Sequence, residues 1–321
     1  MLKPHYHLGL DTSNYTTSIA VVDSDRTIIS DQRRPLPVEP GSLGLRQSDA
    51  FFLHSQNLPD MIKSLFDTIN KDQLASISVS CRPRPLEGSY MPVFKAGENY
   101  GKILSMALGI PLYPFSHQEG HIEAGIYQTQ LNADHPFITL HLSGGTSEAL
   151  AIDQAPSGYG ITILGATGDI SLGQLIDRVG VALSLSFPCG RLMDEIAGTY
   201  TGKSSSQLTP IKINDLNFNL SGIETQCRRA IIAGCDQNAL INELFQKIGK
   251  ALCQIIKHAA ARMPSSQILL VGGVSASSFL RAMIKDHFEG QSITPVFGSP
   301  GLSSDNAVGI ALLGLKSYQN Q

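Results

Sequence analysis

The sequence of 321 residues contains no tryptophan and has no surplus of basic residues. It carries 24 lysines and arginines against 27 aspartates and glutamates, which gives a formal net charge of −3. The lack of tryptophan indicates nothing about function, and the charge balance provides no general attraction to the phosphates of nucleic acid. A local basic patch on a neutral protein can still bind RNA, so the balance leaves an RNA substrate open.

The sequence also lacks paired cysteines and long apolar runs. Its five cysteines are Cys81, Cys189, Cys227, Cys235 and Cys253, and none of them forms a Cys-x-x-Cys pair. An odd and scattered set is typical of reduced thiols in the cytoplasm rather than of a disulfide framework. No run of about 18 apolar residues predicts a membrane span, and the first ten residues do not resemble a signal peptide. We therefore expect a cytoplasmic protein that is not associated with a membrane.

The composition indicates a soluble protein with a large core. Apolar residues make up 42% of the chain and charged residues 16%, and 321 residues are enough for two domains of ordinary size.

Short apolar segments at 6–11, 17–22 and 26–30 predict three opening strands with no helix after the first, unlike a Rossmann fold. A similar meander begins at 137–142. This weak internal repeat predicts two similar lobes, each opening with strands and closing with helices.

Other segments show the periodicity of helices and strands. The expected helices cover 48–69, 95–108, 171–185, 221–234, 238–262 and 306–318, and further strands are expected at 76–80, 149–153, 160–164 and 267–271. We expect Ser48 to cap the first helix and Pro59 to kink it. A loop is expected at 35–47, and the two prolines of Arg82-Pro83-Arg84-Pro85 predict irregular backbone there.

Two histidines, His117 and His121, are four residues apart in His-Gln-Glu-Gly-His. On a helix this spacing puts both rings on one face, where they can bind one metal ion, although two histidines on a polar helix face have the same spacing. A zincin protease is disfavoured because its motif needs glutamate directly after the first histidine. Here Gln118 follows the first histidine, and Glu119 comes two residues after His117, which places it roughly 200° away from His117 around a helix. Glu119 and Glu148 are candidate general bases by position only, and we expect both to be solvated.

Two glycine-rich turns each follow an apolar strand, one at Ser143-Gly144-Gly145-Thr146 and one at Gly272-Gly273. Glycines allow backbone amides to approach a phosphate closely. The first turn is thus a candidate phosphate contact or an ordinary strand turn. The second leads into a helix start and offers a place for an adenosine to lie against backbone.

Two aspartates complete the candidate set. Asp11 ends the first strand before a polar turn, and Asp305 precedes the last helix. Asp11 is either a carboxylate near metal and phosphate or part of a hairpin turn, and Asp305 either completes a metal site or caps its helix. No single feature is decisive. Their order along the chain favours a nucleotide and a metal ion bound between two lobes.

Seven short motifs in order carry a resemblance that covers nearly the whole chain. They are Leu8-Gly-Leu-Asp-Thr-Ser13, His117-Gln-Glu-Gly-His121, Leu142-Ser-Gly-Gly145, Gly173-Gln-Leu-Ile-Asp-Arg178, Phe218-Asn-Leu-Ser-Gly222, Gly272-Gly-Val-Ser-Ala276 and Ser304-Asp-Asn-Ala307. In these motifs the sequence resembles the TsaD/Gcp family, the transferase subunit of tRNA threonylcarbamoyladenosine synthases, once labelled O-sialoglycoprotein endopeptidase. The resemblance implies the actin/sugar-kinase/Hsp70-like ATPase fold, an α/β architecture with duplicated β-meander-plus-helix lobes. We expect one lobe at 1–110 plus 300–321, the other at 111–299, and a cleft between them.

The resemblance also implies the ligands and the reaction. It implies a divalent metal, iron or zinc, held by His117, His121 and Asp305. Together with the two glycine-rich turns it gives an expected set of contacts to an adenine nucleotide or acyl-adenylate, namely Ser143, Gly144, Gly145, Asp177, Gly190, Gly272, Gly273 and Ser277. In the family, the amine of a tRNA adenine attacks the carbamoyl carbon of threonylcarbamoyl-adenylate and AMP leaves. Asp11 is the candidate catalytic residue, and a paralogous subunit is a candidate partner through the N-terminal lobe.

The sequence departs from the family pattern at several positions. The family's opening motif has Glu before Thr-Ser and then Cys-Asp-Glu or Cys-Asp-Asp, where this chain has Asp11 and then Asn14, Tyr15 and Thr16. Where the family has a Gly-Pro-Gly turn, this chain has the segment Arg82–Pro85. At three further positions the family has His, Glu and Asn, and this chain has Thr146, Gln174 and Ser277 respectively. The metal ligands persist while their surroundings change, which is typical of a divergent paralogue.

Three functions stay open at the level of sequence. The first is a metal-dependent carbamoyl or threonylcarbamoyl transferase acting on tRNA. The second is a non-catalytic partner subunit, which an exposed apolar helix face in the first lobe would favour. The third is another ATP-using enzyme such as a small-molecule kinase, with Asp177 or Asp11 as its base, but it leaves the histidine pair unexplained.

Overall fold

The computed structural model describes residues 5–13, 15–39, 44–203, 207–263 and 267–321. Over these ranges the chain has an α/β fold built on two five-stranded mixed sheets. The strands are β1 (Tyr6–Asp11), β2 (Thr16–Asp23), β3 (Ile28–Pro35), β4 (Leu74–Arg82), β5 (Leu112–Ser116), β6 (Phe137–Leu142), β7 (Ser147–Ala155), β8 (Gly158–Ala166), β9 (Ile213–Asn214), β10 (Asn217–Phe218), β11 (Gln267–Val271) and β12 (Thr294–Phe297). The helices are α1 (Gln47–Phe66), α2 (Lys95–Leu108), α3 (His117–Ile126), α4 (Leu172–Ala182), α5 (Gly190–Thr199), α6 (Ser221–Ile232), α7 (Gln237–Arg262), α8 (Ser278–Phe288) and α9 (Val308–Gln319).

The two sheets have the same topology. In the first sheet the strand order is β3-β2-β1-β4-β5, with an antiparallel meander β1–β3 followed by two parallel strands. In the second sheet the order is β8-β7-β6-β11-β12, again a meander followed by two parallel strands. The internal repeat predicted from the two similar strand openings is therefore confirmed. The predicted lobe boundaries at residues 110 and 300, and the cleft between the lobes, stay predictions.

Strand β6 shows how the second sheet separates two apolar clusters. Its alternate residues Ile138, Leu140 and Leu142 pack into the cluster formed with α4 to α8. Phe137, on the opposite face, packs with residues of α3 and α9 such as Ile122. Because side chains alternate across a strand, Thr139 and His141 face the same side as Phe137. Polar residues of β6 are thereby directed towards α3.

The backbones of helices α3 and α9 approach closely where Gly120 and Gly309 meet. A Cβ atom built at Gly309 would lie only 1.9 Å from the carbonyl oxygen of Gly120. A Cβ atom at Gly9 of β1 would lie 2.5 Å from the carbonyl oxygen of Ala307, at the start of α9. Glycine is needed at these positions because the backbones approach too closely for a side chain. The close crossing fixes the segment before α9 beside the first turn of α3.

Some predicted boundaries differ from the structure. Helix α1 begins at Gln47 and no side chain caps it, so the prediction that Ser48 caps this helix is wrong. Ser48 instead lies in the first turn and donates a hydrogen bond to the carboxylate of Asp49. The third strand starts at Ile28, later than predicted, because Asp23 accepts hydrogen bonds from Asp25 and Thr27 and extends the turn. The structure also contains β5, β12 and α5, which the sequence patterns did not predict.

Within the described ranges, no helix is both long enough and apolar enough to cross a membrane.

Candidate functional site

Helix α3 carries both histidines, His117 at its first position and His121 one turn later. Ser116 caps this helix by accepting a hydrogen bond from the Glu119 amide, and Glu119 accepts one from the Ser116 amide in return. This capping box starts the helix at His117, directly after β5 ends at Ser116. The rings of His117 and His121 then lie on one face, with centroids 4.4 Å apart. The predicted spacing therefore gives two adjacent imidazoles.

Asp305 lies opposite the two histidines. One carboxylate oxygen, Oδ1, is 3.6 Å from Nε2 of His117 and 3.6 Å from Nε2 of His121. Asn306, rather than Asp305, accepts the hydrogen bonds from the backbone amides of Val308 and Gly309 at the start of α9. The structure thus gives the capping role to Asn306 and leaves the Asp305 carboxylate directed at the histidines.

Asp11 contacts the histidine pair from the end of β1. Its Oδ2 atom is 2.8 Å from Nδ1 of His117. Its Oδ1 atom accepts hydrogen bonds from the Ser13 amide and the Ser80 hydroxyl, and the residue is 1% exposed. A carboxylate on the far nitrogen of a metal-binding histidine sets the tautomer and ring orientation. In this structure Asp11 therefore acts on His117, and its role as a catalytic residue stays a prediction.

The charges of the site are strongly coupled. Burial alone would lower the pKa of His117, but the carboxylates of Asp11 and Asp305 outweigh burial and raise it to about 10. Burial and the neighbouring His117 lower the pKa of His121. Burial acts to raise the pKa of Asp305, but its contacts with both histidines hold the pKa well below its usual range. Without a metal ion, a proton on His117 supplies the positive charge that the two carboxylates favour.

The donor set fits a divalent metal ion. One ligand atom from each of His117, His121 and Asp305 lies within 4.8 Å of the other two. Nε2 of His121 is buried and makes no hydrogen bond within the described residues, so it is available as a ligand. Two imidazoles and a carboxylate suit iron, zinc and several other divalent metals. The assignment of these three residues as metal ligands stays a prediction that the geometry supports.

A buried polar network, which the sequence did not predict, lies next to the histidines. Glu148 is 4% exposed and pairs with Arg84 at 2.5 Å, and Glu119 is also 4% exposed. The expectation that both glutamates are solvated is therefore wrong, because Arg84 neutralises one and the capping box uses the other. Gln118 donates to Glu148 and also lies 3.3 Å from Nδ1 of His141.

His141 is the central residue of that network. It is 3% exposed, and its ring centroid lies 5.2 Å from that of His121. It pairs across the strands with Glu148, which places both side chains on the face of the sheet that contacts α3. Burial lowers the pKa of His141 well below 6.5. A histidine inside the mainly apolar strand 137–142 was the available signal, but its position beside the predicted metal ligands required the strand register.

The turn after β6 forms a compact loop with open space beside it. The Ser143 hydroxyl accepts hydrogen bonds from the amides of Gly145 and Thr146. Cβ atoms built at Gly144 or Gly145 would meet no atom within 4 Å, so the backbone is accessible there. A Cβ atom at Gly173 would lie 2.7 Å from the Ser143 carbonyl oxygen, which shows how tightly α4 packs behind the loop. This arrangement suits the approach of a phosphate to backbone amides.

The second glycine turn follows β11, the parallel neighbour of β6. Gly272 has a φ of 90° and lies against Leu142, so a side chain would be strained and would clash with backbone. Gly273 has open space beside it. Because β6 and β11 are adjacent and parallel, their carboxyl ends bring the two predicted turns to one edge of the second sheet. Parallel sheets commonly bind ligands at such an edge.

The remaining predicted nucleotide contacts lie on α4, α5 and α8. Asp177 accepts a hydrogen bond from the Cys189 amide at 2.8 Å, and burial raises its pKa. Gly190 starts α5 with open space at its Cα. Ser277 caps α8 and donates to Asp194, so its hydroxyl is engaged within the protein. The assignment of all these residues as nucleotide contacts stays a prediction.

The divergent turn after β1 is partly described. Asn14 lies outside the described residues. The ring of Tyr15 contacts the ring of Phe187 edge-on, with centroids 5.5 Å apart. An aromatic contact therefore stands close to where the family pattern has acidic residues, and it joins the first sheet to the loop before α5.

Comparison with known proteins identifies relatives of the whole chain. Residues 47–312 match the family model TsaD, described as tRNA N6-adenosine threonylcarbamoyltransferase. A tRNA N6-adenosine threonylcarbamoyltransferase of Thermosipho africanus is 29% identical over 97% of this chain and 94% of its own length. A probable bifunctional tRNA threonylcarbamoyladenosine biosynthesis protein of Methanocaldococcus jannaschii is 28% identical over 98% of this chain, which spans 55% of that longer protein.

A solved structure supports the fold. Component A of (R)-2-hydroxyglutaryl-CoA dehydratase from Acidaminococcus fermentans matches with a TM-score of 0.56 and 12% identity, covering 98% of this chain and 99% of that chain. At such low identity the match concerns architecture alone. The predicted actin/sugar-kinase/Hsp70-like ATPase fold is confirmed.

Proposed function

Because the chain belongs to the family of tRNA N6-adenosine threonylcarbamoyltransferases, we propose that it transfers a threonylcarbamoyl or related carbamoyl group from an adenylate to an adenine of tRNA. The observation that carries this proposal is the group of His117, His121 and Asp305. The His121 ring lies next to His141, which contacts Thr146 of the first glycine turn, and the second glycine turn follows the neighbouring parallel strand. A pure scaffold has no need for these three ligands together. A cytoplasmic location accords with a tRNA substrate.

Each part of the site has a role in this reaction. A divalent metal, iron or zinc, would be held by the two histidines and Asp305 and would supply Lewis-acid polarisation of an oxygen. Asp11 holds the His117 ring so that Nε2 is presented for binding. The phosphate and adenosine of the adenylate would bind against the open backbone at Gly144, Gly145 and Gly273. Backbone amides would then donate hydrogen bonds to the leaving AMP and stabilise it.

The direct test measures metal and nucleotide binding first and transfer of the threonylcarbamoyl group to tRNA second. Metal content and adenine-nucleotide affinity are measured for the wild type, for the double variant His117→Ala/His121→Ala, and for His135→Ala, an exposed histidine outside the site. We expect one metal ion per chain in the wild type and the control, its loss in the double variant, and weaker nucleotide binding there. Transfer of labelled threonylcarbamoyl to tRNA then decides the activity. A metal-free wild type that binds no nucleotide would refute the proposal.

A second candidate function is that of a partner subunit. Three large apolar side chains on the adjacent helices α1 and α2 are mostly exposed: Phe52 by 59%, Ile103 by 58% and Met106 by 75%. Such side chains on neighbouring helices favour binding of another protein. A paralogous subunit of the same fold is the partner we propose for this surface of the N-terminal lobe.

Partner binding is tested separately from catalysis. Phe52→Ser/Met106→Lys should abolish co-sedimentation with a purified paralogous subunit, while Ile232→Ser, at an 86% exposed residue on α6, should not. Loss of binding in both variants, or in neither, argues against this surface. Binding together with an absence of transfer by the wild type would favour the non-catalytic function.

A further inference from the structure

His141 has one ring nitrogen with partners and one without. Nδ1 lies 3.3 Å from the side-chain nitrogen of Gln118 and 3.1 Å from the hydroxyl of Thr146. Nε2 is buried and makes no hydrogen bond within the described residues. Buried polar atoms without a partner are rare in folded proteins, and each one calls for an explanation.

The contacts of Gln118 determine which nitrogen carries the proton. The Gln118 amide nitrogen donates to the Glu148 carboxylate at 3.0 Å, and the opposite amide orientation would place two oxygens together. The same nitrogen faces Nδ1 of His141, so Nδ1 must accept. In a neutral imidazole the proton is then on Nε2. His141 thus presents a buried N–H donor that has no acceptor among the described residues.

That donor lies beside the predicted metal ligands, with the His141 ring 5.2 Å from the His121 ring. It is not a fourth ligand in this arrangement, because a protonated nitrogen has no lone pair for a metal ion. Nor does His141 belong to the group whose ligand atoms lie within 4.8 Å of one another in the described residues. A substrate oxygen held next to the histidine pair would supply the acceptor that the protein lacks.

We propose that His141 donates a hydrogen bond from Nε2 to the oxygen of the carbamoyl group that is transferred. This deepens the proposed function and rests on it. As the adenine amine bonds to the carbamoyl carbon, negative charge builds on that oxygen. The bond from this carbon to the phosphate oxygen breaks, and its electron pair leaves with AMP. The amine loses its proton to water, and His141 keeps its own.

A neutral imidazole suits this role because its environment keeps it fixed. Preorganised donors aimed at developing charge need no reorganisation during the reaction, and losing one typically lowers kcat by roughly 100- to 1000-fold. The ring is held by Gln118 and Thr146, and Gln118 is in turn held by Glu148 and Arg84. Thr146 stands where the family pattern has histidine, and its hydroxyl bonds to His141. In this chain the imidazole is therefore that of His141 on β6, whereas the family pattern has a histidine in the turn after that strand.

The first test reads the tautomer without relying on turnover. Long-range ¹H–¹⁵N spectra of the zinc-loaded full chain are recorded alone, with AMP, and with a non-hydrolysable sulfamoyl analogue of the adenylate that retains the carbonyl group. The His141 signals are assigned by their loss in His141→Gln. We expect a protonated Nε2 whose resonance shifts with the analogue and not with AMP. A proton on Nδ1, or no shift when the analogue binds, overturns the proposal.

The second test compares two substitutions. His141→Gln keeps an N–H group near the position of Nε2, whereas His141→Leu removes it. In single-turnover transfer to tRNA, we expect a loss of about 100-fold or more for His141→Leu and partial rescue by His141→Gln. Both variants should retain one metal ion per chain. Loss of metal from both would make His141 a ligand, and an unchanged rate in His141→Leu would make it merely structural.

The two proposals fail in different ways. If the wild type does not modify tRNA but the analogue shifts the Nε2 resonance, the acceptor in the proposed function is wrong while the role of His141 holds. If the wild type modifies tRNA and the resonance does not move, the role of His141 is wrong while the proposed function stands.

Discussion

At the scale of single residues, the protonation of His117 should govern the predicted metal binding. The two neighbouring carboxylates outweigh burial and raise the pKa of His117 to about 10, so at pH 6 to 8 the metal-free ring is protonated. A metal ion has to displace the proton on Nε2, because coordination requires a neutral imidazole. We expect affinity for zinc to tighten by about tenfold per pH unit across this range.

The measurement is competitive titration of zinc against a chelator of known pH dependence, with the variant His135→Ala as a control for exposed histidines. Affinity that does not change with pH would mean that His117 is already neutral in the metal-free protein.

Asp11 should control the tautomer of His117. In Asp11→Asn the amide group can donate to Nδ1, which moves the ring proton to Nε2 and blocks the ligand atom. We expect zinc affinity to fall by about 10- to 100-fold with little change in the fold. Asp134→Asn, at an exposed aspartate, provides the matched control. Calorimetric zinc titration of both variants measures the effect, and an equal affinity in both would show that Asp11 does not orient His117.

At the scale of secondary-structure elements, the crossing of α3 and α9 should be sensitive to one methyl group. In Gly309→Ala the new Cβ atom would lie 1.9 Å from the Gly120 carbonyl oxygen, so the helices have to separate. We expect a loss of about 1–3 kcal/mol in the free energy of unfolding. Weaker zinc binding should accompany it, because Asp305 moves with α9.

The control is Gly198→Ala in α5, where a Cβ atom meets no neighbour and alanine should be neutral or stabilising. Urea unfolding and zinc titration measure both variants. If Gly309→Ala unfolds like the control, the close crossing is not required.

Elements with strong local signals could be predicted, and those that depend on distant partners could not. The spacing of His117 and His121 defines a helix face by itself, and helix α2 begins and ends as predicted. The position of His141 beside His121 depended on the pairing of β6 with β7 and could not be predicted from local sequence. Strands β5 and β12 are short edge strands whose existence depends on a neighbouring strand rather than on their own pattern.

The solvation of Glu148 was mispredicted for a related reason. A buried glutamate is stable only with a partner, and Arg84 comes from a segment that the sequence described merely as irregular. The two residues are far apart in the sequence, and no local pattern connects them. The fold was predictable because the two strand meanders repeat, whereas the network beside the predicted metal ligands required three-dimensional contacts.

At the scale of the whole molecule, metal removal should lower stability. The predicted ligands exist together only in the folded chain, so a bound ion stabilises the native state. With free zinc at 100 times its dissociation constant, the gain is about 2.7 kcal/mol. We expect the unfolding temperature to fall when a chelator is added to the wild type, and not when it is added to His117→Ala/His121→Ala. Differential scanning calorimetry decides between these outcomes, and an equal response of both proteins would contradict the site.

The contact between α3 and α9 also has a consequence during protein synthesis. During translation, both histidines emerge from the ribosome well before Asp305 and α9. A nascent or prematurely terminated chain therefore presents the histidines without their carboxylate partner. Only a chain translated as far as α9 can bring the three predicted ligands together, so metal retention would report that translation reached that helix.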